Sequence, residues 1–342
     1  MNICRLIDKR PDYFQGGGGN VSVKLDGRIM AVKASGFKVL DISRDKGLVN
    51  VDYQTIRNFF NKIDHRQPDI YNNQSSKIIS SSVINKSGQE GLRPSIETGF
   101  HALLGTYVVH SHSVYANLIS CSKQPERLIN DIFLNSGKYF IIANYTPPGF
   151  YLTLEVSRKL DSLNKGGHVS SQIILLKNHG LIVSADSAEA TIKIHEKINQ
   201  AIRSYFHLDR PYPEINIKSL GRDRYVSGTK YLFDYFKQHK NYFYNLRKYM
   251  LFPDQIVFCE DAITGDINQN TTNKIVIDID KEIIFYNANF TEAIIMEEVL
   301  VSWAFVMDNL EKNNLAPDYI SKEEADFVSN MEGEKYRKNL VK

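Results

Sequence analysis

The pair His110-Ser111-His112, at the end of the apolar run Thr106-Tyr107-Val108-Val109, constrains this chain more than any other feature. Residues two apart in a strand share a face, so His110 and His112 can present both imidazoles to one point. A second apolar run, residues 173–178, ends at His179. A neighbouring strand that brings His179 alongside would complete a three-nitrogen site with one position open, the form of a catalytic rather than a structural metal centre. Glu97 opens a segment, residues 96–104, that reads as a helix leading directly into the His110 strand, so its carboxylate can return to the same point. Beside a divalent cation a carboxylate can ligate it or act as a general base. Taken singly, a His-x-His pair is more often hydrogen-bonded structure, and a glutamate at a helix start more often complements the helix dipole. The four residues together reverse those odds.

Three tight turns lie near these residues: Gly16-Gly17-Gly18-Gly19-Asn20, Lys33-Ala34-Ser35-Gly36 and Pro94-Ser95. Glycine lets backbone N–H groups approach an anion closely. The first turn matches neither the dinucleotide fingerprint nor the Walker A loop, because no Gly-Lys-Ser/Thr follows it and a strand comes next. Each turn alone is ordinary; jointly they can hold a phosphate.

The chain has 342 residues, room for a sizeable core and two domains. Its 42 basic and 39 acidic side chains nearly cancel, to a net +3. That balance argues against nucleic acid or an acidic membrane as partner. Cys4, Cys121 and Cys259 are scattered and odd in number, which points to a reducing compartment. No signal-peptide pattern follows Met1, and no apolar stretch approaches the ~20 residues of a membrane helix. The expected location is cytoplasmic.

Residues 20–25 and 28–33 read as a hairpin about an Asp26-Gly27 turn. Residues 72–91, rich in Asn, Ser, Lys and Gly, read as a mobile surface insertion. After His179-Gly180 the pattern predicts a helix start, capped by Asp186 with Glu189 three residues on, and ending near Arg210-Pro211. A domain boundary falls at about 208–218. Beyond it, residues 255–258, 274–277 and 283–286 read as strands, 291–309 as a helix, and Ser321 with Glu324 as the capping box of a last helix. Residues 230–249 interleave aromatic and basic side chains; the balanced charge favours an amphipathic helical segment over a stacking platform for single strands. His65, His101, His168, His195, His207 and His239 lack comparable spacing.

In their order along the chain, the glycine-rich turn with Asn, the Ser-Gly turn, Pro-Ser-x-Glu, His-x-His and Asn-His-Gly resemble the class II aldolase/adducin family. The resemblance covers about residues 10–210. Its wording is nearest to the aldolase half of bifunctional rhamnulose-phosphate aldolase/alcohol dehydrogenase proteins and their stand-alone relatives. That branch reads Pro-Ser-Ile-Glu-Thr (residues 94–98), Pro-Gly-Phe (148–150) and Met-Glu-x-Glu-Lys-Tyr-Arg (331–337). No strand–G-x-G-x-x-G–helix unit appears, so the dehydrogenase half has no counterpart.

The resemblance implies an α/β chain: a class II aldolase-like three-layer α/β/α domain over residues 1–212 and a smaller C-terminal α+β domain over 213–342. It implies a lyase that cleaves or forms a carbon–carbon bond of a sugar or ketose phosphate through a metal-stabilised enediolate. His110, His112 and His179 would hold Zn²⁺ or another divalent metal, and Glu97 would be the catalytic acid/base. Gly19, Asn20, Ser35, Gly36 and Ser95 match phosphate-holding positions. Ile96 departs from the simplest members, which carry a second Ser there, so one phosphate donor is lost. The family's second acid is often a tyrosine, with Tyr145 and Tyr151 as candidates. A ketose-phosphate 4-epimerase, with Asp131 as an added acid/base, or a decarboxylase would use the same metal site. A non-catalytic adducin-like interaction module would lack the metal ligands, which this chain keeps. A homo-oligomer, a tetramer by analogy, with sites at subunit interfaces is the expected assembly.

Overall fold

The strand residues of the N-terminal part alternate between two apolar faces, and that alternation builds three layers. The structure, a computed structural model, describes residues 10–43, 46–64, 66–84, 91–164, 171–265 and 272–335. Its first sheet contains β1 (Asn20–Lys24), β2 (Ile29–Lys33), β3 (Leu48–Asp52), β4 (Tyr107–Ser111), β5 (Phe140–Ala143), β6 (Ser171–Leu176) and β7 (Gly180–Ala185). Their order is β3-β2-β1-β4-β7-β6-β5, antiparallel except between β5 and β6. The helices of this part are α1 (Tyr53–Phe60), α2 (Asp69–Ser81), α3 (Thr98–Leu103), α4 (Val114–Ser120), α5 (Pro125–Phe133), α6 (Phe150–Asn164) and α7 (Ala188–Tyr205). Val108, Ile174 and Ile182 pack with Phe100 of α3 and Leu152 and Val156 of α6. Their chain neighbours Val109, Ile173, Leu175, Leu181 and Val183 face the other way, into a cluster with α4, α5 and α7. The period of two in a strand thus gives helices on both faces, the expected α/β/α arrangement.

A second sheet has the order β10-β11-β12-β9-β8. It is built from β8 (Ile217–Ser219), β9 (Arg224–Ser227), β10 (Ile263–Thr264), β11 (Ile275–Asp278) and β12 (Ile283–Asn287). With it go α8 (Lys230–Gln238), α9 (Lys240–Tyr244), α10 (Pro253–Cys259), α11 (Phe290–Lys312) and α12 (Lys322–Asn330). Helix α11 is apolar on nearly every side and correspondingly buried, with Trp303 at its centre donating its indole N–H to Tyr249 O at 3.0 Å. One continuous apolar cluster runs from Tyr13 through α4 and α7 into α10, α11 and Val328. The C-terminal part therefore packs directly on the helix layer behind the first sheet. The aromatics of 230–249 serve this core: Tyr235, Phe236 and Phe243 are buried.

Several elements differ from their sequence pattern. Residues 255–258, expected as a strand, lie in α10; Pro253 starts the helix, and because every residue of it is buried no polar face betrays the helical period. Residues 72–81, expected in a mobile insertion, belong to α2, which is polar outside and buries Ser75 and Ile79; residues 85–90 of that stretch lie outside the described residues. Strand β7 follows His179-Gly180 immediately, and the next helix is capped by Ser187, not Asp186: Ser187 accepts the N–H of Ala190. That helix ends at Tyr205, short of Arg210. The Ser321/Glu324 capping box is present. Cys4, His65 and His168 lie outside the described residues. Among the described residues no helix is long and apolar enough to cross a membrane.

Candidate metal centre

Strand β4 lies between β1 and β7, and His110 pairs across to Asn20 on one side and Ile182 on the other. Ser111 points to the opposite face, its hydroxyl 2.7 Å from His195 Nε2. His112 follows the strand and returns to the face of His110. His179 comes from the turn joining β6 to β7, and each residue of Asn178-His179-Gly180 has a local reason. Asn178 sits at φ +53°, a left-handed conformation that Asn tolerates better than most residues. Its side-chain amide donates to Leu251 O at 3.1 Å and Asp318 O at 2.7 Å, fixing the turn to the C-terminal part. A Cβ at Gly180 would lie 2.2 Å from Ser111 O, so only glycine lets β7 approach the end of β4 this closely.

The three imidazole rings form a near-equilateral triangle, with centroids 5.0, 5.0 and 4.9 Å apart. His110 and His112 bring their Nε2 atoms to 3.2 Å. Glu97 Oε1 is 3.3 Å from His179 Nε2 and 3.6 Å from His110 Nε2. Two of the outward nitrogens are engaged elsewhere: His110 Nδ1 faces Leu181 O at 3.3 Å, and His112 Nδ1 faces Asp254 Oδ2 at 2.5 Å. Three Nε2 atoms and one carboxylate oxygen therefore converge. Ligands at 2.0–2.1 Å from a tetrahedral cation sit about 3.3 Å apart, so the donor set and its spacing fit a divalent metal. All four side chains are buried. Burial pushes His179 down to about 4, which keeps its ring neutral at ordinary pH, the form a metal requires. Burial opposes ionisation of Glu97, but the His110 and His179 imidazoles hold its carboxyl well below the usual carboxylate range.

Glu97 stands at the N-terminus of α3, where the segment 93–95 zips onto 33–35. Ser35 N–H donates to Arg93 O at 2.8 Å, and Ser95 N–H to Lys33 O at 3.3 Å. This pairing brings two of the sequence-predicted turns together. Gly19, Ser35, Gly36, Ser95, Glu97, His112 and His179 all line one cavity of about 450 Å³, its open mouth included. His110 and Asn20 are buried but do not line it; the Asn20 Nδ2 has no hydrogen-bond partner among the described residues. Gly18 is glycine for space: a Cβ there would lie 2.3 Å from Asp254 Oδ2 and 2.5 Å from His112 Nδ1. Ser35, Ser95, Ile96, Pro148 and Gly333 line both this cavity and a wider one of about 1790 Å³, open solvent included.

Three lining residues escaped the sequence analysis. Lys33, only 3% exposed, donates its ammonium to Gly17 O at 3.2 Å and Phe37 O at 2.7 Å, which holds the positive charge at the cavity beside Ser35. Its signal was a lysine closing a buried strand just before the Ser-Gly turn. Asp254 and Glu334 come from the C-terminal part and are buried in the same wall. Nothing local in the sequence marks Asp254, whereas Glu334 lies in the Met-Glu-x-Glu-Lys-Tyr-Arg stretch, residues 331–337. Tyr151 instead donates to Asp69 Oδ1 at 2.7 Å and lines the wider cavity. Tyr145 is packed against the main core, its hydroxyl buried with no partner among the described residues. Asp131 accepts the Tyr205 hydroxyl at 3.3 Å on the surface, on α5.

A model of the class II aldolase and adducin N-terminal domain matches residues 1–206. Among solved structures, the chain is similar to the N-terminal class II aldolase domain of a conserved protein from Thermoplasma acidophilum, with 27% identity and a TM-score of 0.47 over 59% of this chain and 90% of that one. YgbL from Klebsiella pneumoniae is similar at 20% identity and a TM-score of 0.42, over 61% and 87%. A sugar-phosphate aldolase from Thermotoga maritima is similar at 14% identity and a TM-score of 0.40, over 61% and 97%. No curated protein sequence matches the chain.

Proposed function

Since the chain belongs to the class II aldolase and adducin family, we propose that it is a metal-dependent lyase that breaks or forms a carbon–carbon bond of a sugar or ketose phosphate. One observation carries this: three buried histidines and the Glu97 carboxylate converge at one point beside the cavity. His110, His112 and His179 would hold Zn²⁺ or another divalent cation. Such a cation would neutralise the negative charge that develops on two adjacent substrate oxygens as the bond breaks.

The chain's own groups do the rest. In cleavage, a base takes the hydroxyl proton on the carbon that becomes the aldehyde, and an acid returns a proton to the other carbon. Glu97, beside the metal ligands, serves the carbon. Asp254 is committed to His112, so we assign the hydroxyl proton to Glu334, the further carboxyl side chain in the cavity wall. The Lys33 ammonium and the hydroxyls of Ser35 and Ser95 hold the anionic end, and Lys33 stands in for the donor lost at Ile96. We read the chain as two domains, 1–212 and 213–342, in a cytoplasmic homo-oligomer.

The test is a panel of ketose phosphates offered to the zinc-loaded protein, with dihydroxyacetone phosphate release as the readout. Release from at least one is expected. No release from protein carrying one metal per chain would remove the aldolase assignment; protein that takes up no metal would remove the centre itself.

A further inference from the structure

The C-terminal part supplies a residue to the metal centre, and we propose that Asp254 is a positioning residue that fixes the ring and tautomer of His112. This inference rests on the metal-site reading above and assigns a role that the N-terminal family match, which stops at residue 206, does not reach.

Three observations carry it. Asp254 Oδ2 lies 2.5 Å from His112 Nδ1, and the two residues are 2% and 5% exposed. A carboxylate only accepts, so the proton resides on Nδ1, and the Nε2 lone pair is left facing His110 and Glu97. The outer nitrogens of the other two ligands are differently placed. His110 Nδ1 faces a backbone carbonyl at 3.3 Å, and His179 Nδ1 is buried with no partner among the described residues. Among the described residues, His112 alone of the three has a carboxylate behind it, the arrangement that orients a ligating imidazole. Finally, the chain keeps room for this pair. The position of a Cβ at Gly18 is filled by Asp254 Oδ2 and His112 Nδ1, so the third glycine of the turn is explained by the pair. Asp254 is set there by α10, which Pro253 begins.

The experiment is Asp254→Asn in the full chain, with zinc affinity measured by competition against a chromophoric chelator and the visible spectrum recorded on Co²⁺-loaded protein. Removing a carboxylate behind a metal-bound histidine lowers metal affinity roughly 10- to 100-fold, with a changed Co²⁺ spectrum and unchanged far-UV circular dichroism. Asp254→Glu should recover part of the loss. A zinc affinity within twofold of wild type would overturn the proposal. The wild-type protein gives a second measurement that needs no variant. With ¹⁵N-labelled histidine and bound zinc, His112 should carry its proton on Nδ1, and a proton on Nε2 would overturn the proposal. The two readings fail differently: if wild type binds zinc, His110→Ala abolishes that binding and Asp254→Asn leaves it untouched, only the role of Asp254 falls. If wild type binds no zinc, the centre falls first.

Discussion

Glu298, in the middle of the long helix α11, accepts the backbone N–H of Gly16 at 2.6 Å across 282 residues of chain. The same carboxylate takes the Lys38 ammonium at 3.2 and 3.3 Å. One side chain thus holds the glycine-rich turn and the segment just after Ser35-Gly36, the two turns that flank the Lys33 end of the cavity.

Glu298→Ala should therefore loosen the anion-holding end while leaving the metal ligands in place. Hydrogen bonds to a charged group contribute about 1.5–3 kcal/mol, so a loss of about 2 kcal/mol in urea unfolding is expected. The Michaelis constant for a phosphorylated substrate should rise about 10-fold, with zinc content unchanged. An equal fall in turnover and metal content would show that the clamp acts on the centre as a whole.

The metal centre should also be visible in stability. Ligand that binds only the folded state stabilises it by RT ln(1 + [L]/Kd), about 4 kcal/mol at 1,000 times Kd. Zinc should raise the thermal midpoint by several degrees, and a strong chelator should reverse the shift. In His110→Ala, zinc should leave the midpoint where it is. A zinc-dependent rise of equal size in that variant would place the binding elsewhere.

The central ligands were legible in the sequence for a physical reason. A strand's period of two put His110 and His112 on one face, and the Asn-His-Gly turn and the helix at Glu97 are each written in a few adjacent residues. The chain between them needed only the right-sized sheet. Asp254 and Glu298 reach the site through tertiary packing over some 140 residues or more of sequence, and a lone carboxylate carries no local sign of such a partner. Helix α10 was misread for a related reason: a helix buried on all sides shows no amphipathic period, and the three apolar neighbours Ile256, Val257 and Phe258 then resemble a strand. Helix α2 was missed because Asn and Ser are weak helix formers, and its burial of Ile79 outweighs that propensity.

Glu97 and Glu334 should separate by their effects. Glu97→Gln removes both a metal-facing oxygen and the carbon acid/base, so zinc affinity and turnover should fall together. Glu334→Gln should leave zinc affinity alone and lower turnover about 10²- to 10⁴-fold, the usual contribution of one positioned acid or base. Full turnover in Glu334→Gln would return the second proton to another group.

Two buried imidazoles away from the cavity predict the acid limb of stability. Burial pushes His101 and His195 down to about 3. Their only described side-chain partners in this role are hydroxyl and amide groups, Ser22 for His101 and Ser111 with Asn199 for His195. In the unfolded chain both titrate near 6.5. A depressed folded value means that the unfolded state binds the extra proton, so stability is full above about 6.5 and falls as pH drops toward 3. The slope is up to about 1.4 kcal/mol per pH unit for each group. Urea midpoints between pH 7 and 5 should fall accordingly, and His195→Gln should remove about half of the slope attributable to the pair. An unchanged slope would mean that His195 is protonated in the fold.

The tightest approach in the site gives the sharpest mutation. In Gly180→Ala, the new methyl would stand 2.2 Å from Ser111 O, a backbone atom at the end of β4, where Ser111 pairs with Leu181 of β7. A flexible side chain could swing away from such a contact, but a ladder carbonyl cannot, so β4 and β7 must separate locally. Overpacking of this kind costs about 1–3 kcal/mol when the neighbours yield, and more when they do not. The displaced atoms lie between His112 and His179, so the damage should reach the metal before it reaches the fold. The expected result is a protein that still folds, at least about 2 kcal/mol less stable by urea unfolding, with zinc affinity lowered 10-fold or more. Zinc affinity equal to wild type in a destabilised Gly180→Ala protein would show that the histidine triangle tolerates movement of the strands that carry it.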